Sequence, residues 1–338
     1  MIVATRYFRD SARMKAIAIS RFGGPEVLVA VERPLPEPSR GEVRVRVRAT
    51  ALNRADLLQR IGAYPAPADA PFDIPGLEIA GEVDALGPGV ERLAIGDRVF
   101  GLVGGGGYAE SIVAHERSLA VIPNLLSYEQ AASVPEAFIT AHDAIVGQAG
   151  LAGGETLLVH AVGSGVGTAA IQLGRALGAF VIGTARTADK LERAKPLGLD
   201  VGVVPEGDGF AAAVKRADPE GAAVVLELVG GKYVDEDLLA IRPRGRIVLV
   251  GLLAGVRAEL DLAVLLRKRA RVFGTVMRAR PLEEKIEAMR TFEAQVVPLF
   301  TRGKLVPVID RVMALDDAAE AHAHMASNAD FGKIVLRT

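Results

Sequence analysis

No cysteine occurs among the 338 residues. That absence removes disulfides, thiolate catalysis, Cys-ligated zinc and iron–sulfur clusters together. Acidic and basic residues nearly cancel, at a net charge of −1, and they are interspersed, so no basic footprint for nucleic acid exists. The short cluster Arg267 to Arg271 reads as a solvated helix end. No apolar run is long enough for a membrane span, and no membrane partner is expected. The first 13 residues have no secretory core and run into a second methionine, Met14. Residues 1–13 therefore read as a disordered extension, and the expected compartment is the cytoplasm.

What is present is an α/β pattern with abundant turns. Half the residues are hydrophobic and 24% are charged, the balance of a globular chain with ample core. Thr156 to Val159 ends an apolar strand, and Gly163, Gly165 and Gly167 crowd the turn after it. Val166, Ala169, Ala170, Leu173 and Leu177 then recur at helical spacing. Strand, glycine turn and helix together place a pyrophosphate against free N–H groups at a helix start. A dinucleotide fold specific for NAD carries an acid at the end of its second strand, to hold the ribose 2′-OH. Here Phe180 to Thr184 is followed by Ala185, Arg186, Thr187 and Lys190, which favours NADPH through its 2′-phosphate.

From Met14 to about Gln130 short strands alternate with turns, which predicts a small barrel or sandwich. Thereafter strands and helices alternate. The strands are expected at 157–159, 181–184, 201–204, 224–229, 246–250 and 272–277. Helices are expected at 166–177, 190–197, 210–217 and 262–269. Six such strands make a doubly wound parallel sheet. An amphipathic run over 282–300, a segment at 306–311, a helix near 316–326 and a strand at 333–336 follow. That tail is too small to fold alone and is expected to rejoin the first sheet. The apolar edge 271–277 predicts antiparallel pairing across a two-fold axis, giving a homodimer.

The stretch Gly76-Leu-Glu-Ile-Ala-Gly-Glu-Val83, with Gly87, Val90 and Gly96-Asp-Arg-Val99, resembles the medium-chain dehydrogenase/reductase signature. Leu77 stands where the zinc alcohol dehydrogenases of that superfamily carry a zinc-binding His, and Asn53 where they carry a zinc-binding Cys. The resemblance is therefore to the zinc-independent NADPH:quinone oxidoreductases related to zeta-crystallin. Within them the tumour-suppressor-induced branch is closest, through Ala51 to Arg60, Ser133 to Ala141 and Ser164 to Leu173. It implies a GroES-like β-barrel catalytic domain (14–130 with 278–338) and a Rossmann dinucleotide-binding domain (131–277). It also implies NADPH in the cleft and hydride transfer to a quinone or other electrophilic carbonyl.

Carried over residue by residue, the resemblance assigns cofactor contacts to Asn53, Thr140, Gly163, Ser164, Gly165, Val166, Gly167, Arg186, Lys190, Gly230, Gly251 and Lys333. It assigns the quinone pocket to Tyr64 and Ser164, with Asn53 near the reacting atoms. No metal ligands are assigned. Pro205 stands where the family often has a tyrosine for the 2′-phosphate, and proline offers neither a hydroxyl nor an N–H. A quinone is already electrophilic, so the protein must chiefly orient the ring, exclude water and donate a hydrogen bond. The alternatives are an enone or enoyl reductase of the same superfamily and a non-enzymatic, crystallin-like NADPH binder.

Several other residues have blander readings. Asp56 is expected to pair with Arg54 or Arg60. His322 and His324, two apart on a helix, point to different faces and do not chelate. His160 reads as a core histidine, and His115 and His142 show no partner. Gly104 to Gly107 reads either as a hinged lid or as a plain flexible loop.

Overall fold

The computed structural model describes residues 12–206 and 209–338. Most of the leader considered above lies outside these residues, although the first strand, Arg13–Ile19, already begins one residue before Met14.

Two sheets organise the chain. The first has seven strands and is built on Glu42–Ala51, whose Val43, Val45 and Val47 point into the core while the arginines between them are half-buried or exposed. Arg44 and Arg48 end on Asp84 and Glu82 of the neighbouring strand, Glu78–Leu86. The C-terminal strand, Lys333–Arg337, pairs antiparallel with Glu42–Ala51 through Val335 opposite Ala51. The tail thus rejoins the first sheet, as expected.

The second sheet has six strands, all parallel. Across the sheet they run Val201–Val203, Phe180–Thr184, Thr156–Val159, Ala222–Glu227, Ile241–Leu249 and Arg271–Gly274. The order reverses between Thr156–Val159 and Ala222–Glu227, which is where a doubly wound sheet opens a crevice at the carboxyl ends of its strands. Leu157, Leu158, Val224, Val225 and Leu226 are fully buried, as expected of strands covered on both faces.

Three elements differ from the sequence expectation. The run over 282–300 breaks into helices Leu282–Gln295 and Val297–Thr301, because Pro298 cannot donate a backbone N–H to the preceding turn. The edge strand stops at Gly274, short of Met277. A helical stretch from Pro135 to Gln148, wound partly as π-helix, is absent from the expected elements, although Val134, Ala137, Phe138, Ala141, Ala144 and Ile145 recur at helical spacing and are buried.

Candidate active site

The carboxyl edge of the parallel sheet collects most of the assigned residues. Helix Gly165–Ala176 starts inside the glycine turn, with Ser164 as its N-cap and the Ser164 hydroxyl accepting from Gly167 N at 3.0 Å. A Cβ on Gly163 would meet Lys190 Cδ at 2.8 Å, and one on Gly165 would meet Lys333 Cδ at 2.5 Å. One on Gly167 would overlap the Ala161 carbonyl oxygen. The turn is therefore closed to a side chain at Gly167 by backbone, while at Gly163 and Gly165 the stems of Lys190 and Lys333 would have to move. Gly230 and Gly251 follow the next two strands, and a Cβ on either would run into neighbouring backbone.

The second strand ends in buried Ala185 and exposed Arg186. Arg186 makes no hydrogen bond or ion pair among the described residues, but its charge reaches Arg54 and Lys190. Burial foremost, then repulsion from Arg186, holds Lys190 below the usual lysine range, with Arg193 adding to the repulsion. The Lys190 ammonium is turned onto the carbonyls of Asn328 and Asp330, at 2.8 and 2.7 Å, rather than standing free. Arg54, which sequence reasoning left as a partner for Asp56, instead reaches Asn328 at 2.9 Å and joins this cationic group.

A second cluster lies around Lys333. Its buried ammonium contacts Asn53 Oδ1 at 2.6 Å, Leu52 O at 2.7 Å and Glu78 Oε1 at 2.7 Å. Asn53 donates its amide to the same Glu78 oxygen at 2.8 Å, so the Asn53 side chain is engaged at both ends. The other Glu78 oxygen accepts from Glu136 N at 2.8 Å. Thr140, one turn further along, is buried with a hydroxyl that has no partner. Tyr64 is half-buried, with the Arg278 guanidinium 5.2 Å from its ring centre. Arg278 is itself held by Gly104 O at 2.8 Å and Gln59 Oε1 at 2.7 Å. Glu78, Glu136 and Arg278 were missed from sequence. The first two lie inside the family-like stretches Gly76 to Val83 and Ser133 to Ala141, and nothing in the sequence marks the third.

Other expectations need correction. Asp56 meets neither arginine. It accepts from Asn53 N at 2.8 Å and Gly76 N at 3.0 Å, and burial pushes its carboxyl up to about 6. Tyr108 joins it to His322, whose ring burial, with Arg60 beside it, pushes down to about 3. Gly105 to Gly107 are buried, and Gly106 N and Gly107 N donate to Ile74 O and Gly76 O, so this run is anchored rather than loose. His142 bonds Gln295, and the His115 ring accepts from Arg117 N. His324 faces Asp310, away from His322. His160 is a core histidine set between Thr184 and Asp237, with Glu227 nearby. Burial raises Glu227 to about 8 and Asp237 to about 7, so that pair holds a proton at neutral pH.

A catalytic zinc does not fit these residues: Leu77 carries no donor, Asn53 is committed, and the sequence contains no thiolate. A nicotinamide dinucleotide does fit. Helix Gly165–Ala176 starts inside a glycine turn whose Gly167 admits no side chain, which suits a pyrophosphate, and the orphaned Thr140 hydroxyl marks a place for a polar ligand group.

Known proteins agree with this geometry. Residues 165–294 match the zinc-binding dehydrogenase family model, and residues 39–124 the alcohol dehydrogenase GroES-like domain. A quinone oxidoreductase of Pseudomonas aeruginosa is 35% identical over 95% of this chain and 99% of its own length. The polyketide synthase GfsB of Streptomyces halstedii is 39% identical over 91% of this chain, which spans only 5% of that much longer protein. The chain likewise spans 14% of a Streptomyces orinoci polyketide synthase. Among solved structures, a mycobacterial protein complexed with NADPH superposes with a TM-score of 0.87 at 29% identity, covering 96% of this chain and all of that one. A quinone oxidoreductase of Pseudomonas syringae gives 0.83 at 32%, over 96% and all of the respective chains. With a glycine-turn Rossmann sheet, a GroES-like sheet and a full-length relative at this identity, the chain belongs to the medium-chain dehydrogenase/reductase superfamily and to its quinone oxidoreductase-like family.

Proposed function

We propose that the protein transfers reducing equivalents from NADPH to quinones. The observation that carries the cofactor preference is the end of the second strand, where buried Ala185 replaces a carboxylate and exposed Arg186 stands unpaired. A 2′-phosphate there meets Arg186, with Arg54 and Lys190 nearby; Asp330 also faces those two cations, but no carboxylate stands at the strand end itself. The nicotinamide end lies toward Thr140, Ser164 and Lys333. When bound, the cofactor supplies a hydride, and the chain's own residues orient the acceptor. Tyr64 and Arg278 offer a flat ring and a cation suited to a planar, oxygen-bearing substrate. On this reading the first sheet, with residues 14–130 and 278–338, bears the substrate, and residues 131–277 bear the dinucleotide.

The test is oxidation of NADPH and NADH side by side with a panel of quinones. Arg186→Glu should lower kcat/KM for NADPH roughly 10- to 100-fold, the worth of one charge-assisted hydrogen bond. NADH turnover should not fall, since an acid there can hold a ribose 2′-OH, and the melting temperature should barely move, because Arg186 is exposed and unpaired. Equal loss with both cofactors would remove the 2′-phosphate role. Turnover of α,β-unsaturated thioesters or ketones, with quinones inert, would favour enoyl reduction, the reading to which the polyketide synthase similarity points.

We further propose a homodimer through the edge strand Arg271–Gly274, which pairs on one side only among the described residues. Sedimentation should give twice the 35.5 kDa chain mass. Phe273→Glu, on that strand, should return the monomer, and a monomeric wild type at micromolar concentration would end the proposal.

A further inference from the structure

The Glu136 carboxyl is a polar group with no partner at the centre of a densely bonded cluster. Its backbone N–H is fixed on Glu78 at 2.8 Å, yet its side chain makes no hydrogen bond or ion pair among the described residues. It sits at the start of a π-helical turn, Pro135–Ile139, a winding often found where a side chain must be redirected into a site. Thr140, four residues on and therefore on the same helix face, is the other unpartnered polar side chain there. Ala137, between them, lies 3.8 Å from the position a Gly165 Cβ would take, so this part of the helix packs against the dinucleotide turn. Two unpaired polar groups on one face, beside that turn, point to two bound groups, the nicotinamide at Thr140 and the substrate at Glu136.

We propose that Glu136 is the acid that protonates the reduced substrate, a role that rests on the reductase reading above. The charged and titratable groups around it come from every neighbouring element. Glu78 lies on the adjacent strand, Asp56 on helix Arg54–Arg60, Lys333 on the C-terminal strand, and Tyr64 and Arg278 on the flanking segments. Burial first, then the Glu78 carboxylate, pushes Glu136 up to about 8, while Lys333 and Arg278 pull the other way. The group is therefore a neutral acid at pH 7, able both to donate a hydrogen bond and to give up a proton.

The step balances without a further reactant. The quinone accepts one hydride, equivalent to two electrons and one proton, from the nicotinamide, which is oxidised, and becomes a monoanion. The carboxyl O–H of Glu136 breaks as a new O–H forms on the substrate oxygen, giving the quinol. The Glu136 carboxylate then takes a proton from water through its exposed edge.

The experiment pairs a spectroscopic readout with a kinetic one. The difference infrared spectrum between wild type and Glu136→Gln, recorded without cofactor, should show a protonated carboxyl that disappears as pH rises through about 8. With NADPH and quinone, wild-type kcat should fall above that pH. Glu136→Gln should be roughly 100-fold slower at pH 7 and have lost that limb, since a general acid contributes on that order. Its affinity for NADPH, measured by titration, should stay within about twofold, because Gln keeps the volume and the backbone bond to Glu78. An active variant that keeps the limb, or an absent carboxyl band, overturns the role of Glu136 alone. A wild type inert toward quinones and enones alike overturns the reductase reading, and the protonation role falls with it.

Discussion

Lys333→Met should destabilise the protein by about 3–5 kcal/mol, the usual result of removing one partner from a buried ion pair. Lys333 is 4% exposed and Glu78 fully buried. Removing the ammonium leaves the Glu78 carboxylate with two neutral donors, Asn53 Nδ2 and Glu136 N, and no adjacent cation. It also strips Leu52 O and Asn53 Oδ1 of their shared donor. Those losses sit where the last strand is stitched to the segment leading into helix Arg54–Arg60, so cooperative unfolding should report them. Adding Glu78→Gln to Lys333→Met should recover part of the loss, because the stranded charge is then gone. Denaturant melts of both singles and the double check this. A single-mutant loss below about 1 kcal/mol, or a double worse than the sum of its parts, would mean that the pair is not held as a pair.

What could be read without coordinates follows the reach of each signal. The strand–glycine turn–helix at 156–177 depends on local backbone chemistry, and it stands within a residue or two of expectation. The parallel sheet followed from apolar runs short enough to be strands and spaced by helices. By contrast, Asp56 looked like an ion-pair member only because arginines are its neighbours in sequence. In space Gly76 and Tyr108, 20 and 52 residues away, take its oxygens. Arg278 came to the site from 219 residues beyond its partner Gln59, a distance over which no periodicity carries information. Lys190 stands on the helix after the second strand, but its long stem lets it satisfy two carbonyls of the Asn328–Asp330 segment. Position was legible and direction was not.

The same distinction makes Gly167 the most exacting position of the dinucleotide turn. A side chain there would overlap the Ala161 carbonyl oxygen and approach Val162 Cα at 2.9 Å and Ser164 Oγ at 3.0 Å. The first two are backbone atoms of the turn itself and cannot rotate away. Gly167→Val must therefore lift the start of helix Gly165–Ala176 off the turn and break the Ser164 cap on Gly167 N. The N–H groups that would face a pyrophosphate then lose their alignment, and a displaced donor is worth little to an anion. Overpacking against rigid backbone costs about 1–3 kcal/mol in stability. Lost alignment should cost about 3 kcal/mol more in NADPH binding, a factor of roughly 100 in Kd. Gly178→Ala is the matched control. Gly178 has φ of +79° with open space around its Cβ, so the change strains the backbone and leaves the turn alone. It should lower the melting temperature by an amount corresponding to about 1 kcal/mol and leave Kd unchanged. Fluorescence titration of both variants with NADPH separates the two effects. If Gly167→Val binds the dinucleotide as tightly as the control, the helix start is not where the pyrophosphate lies.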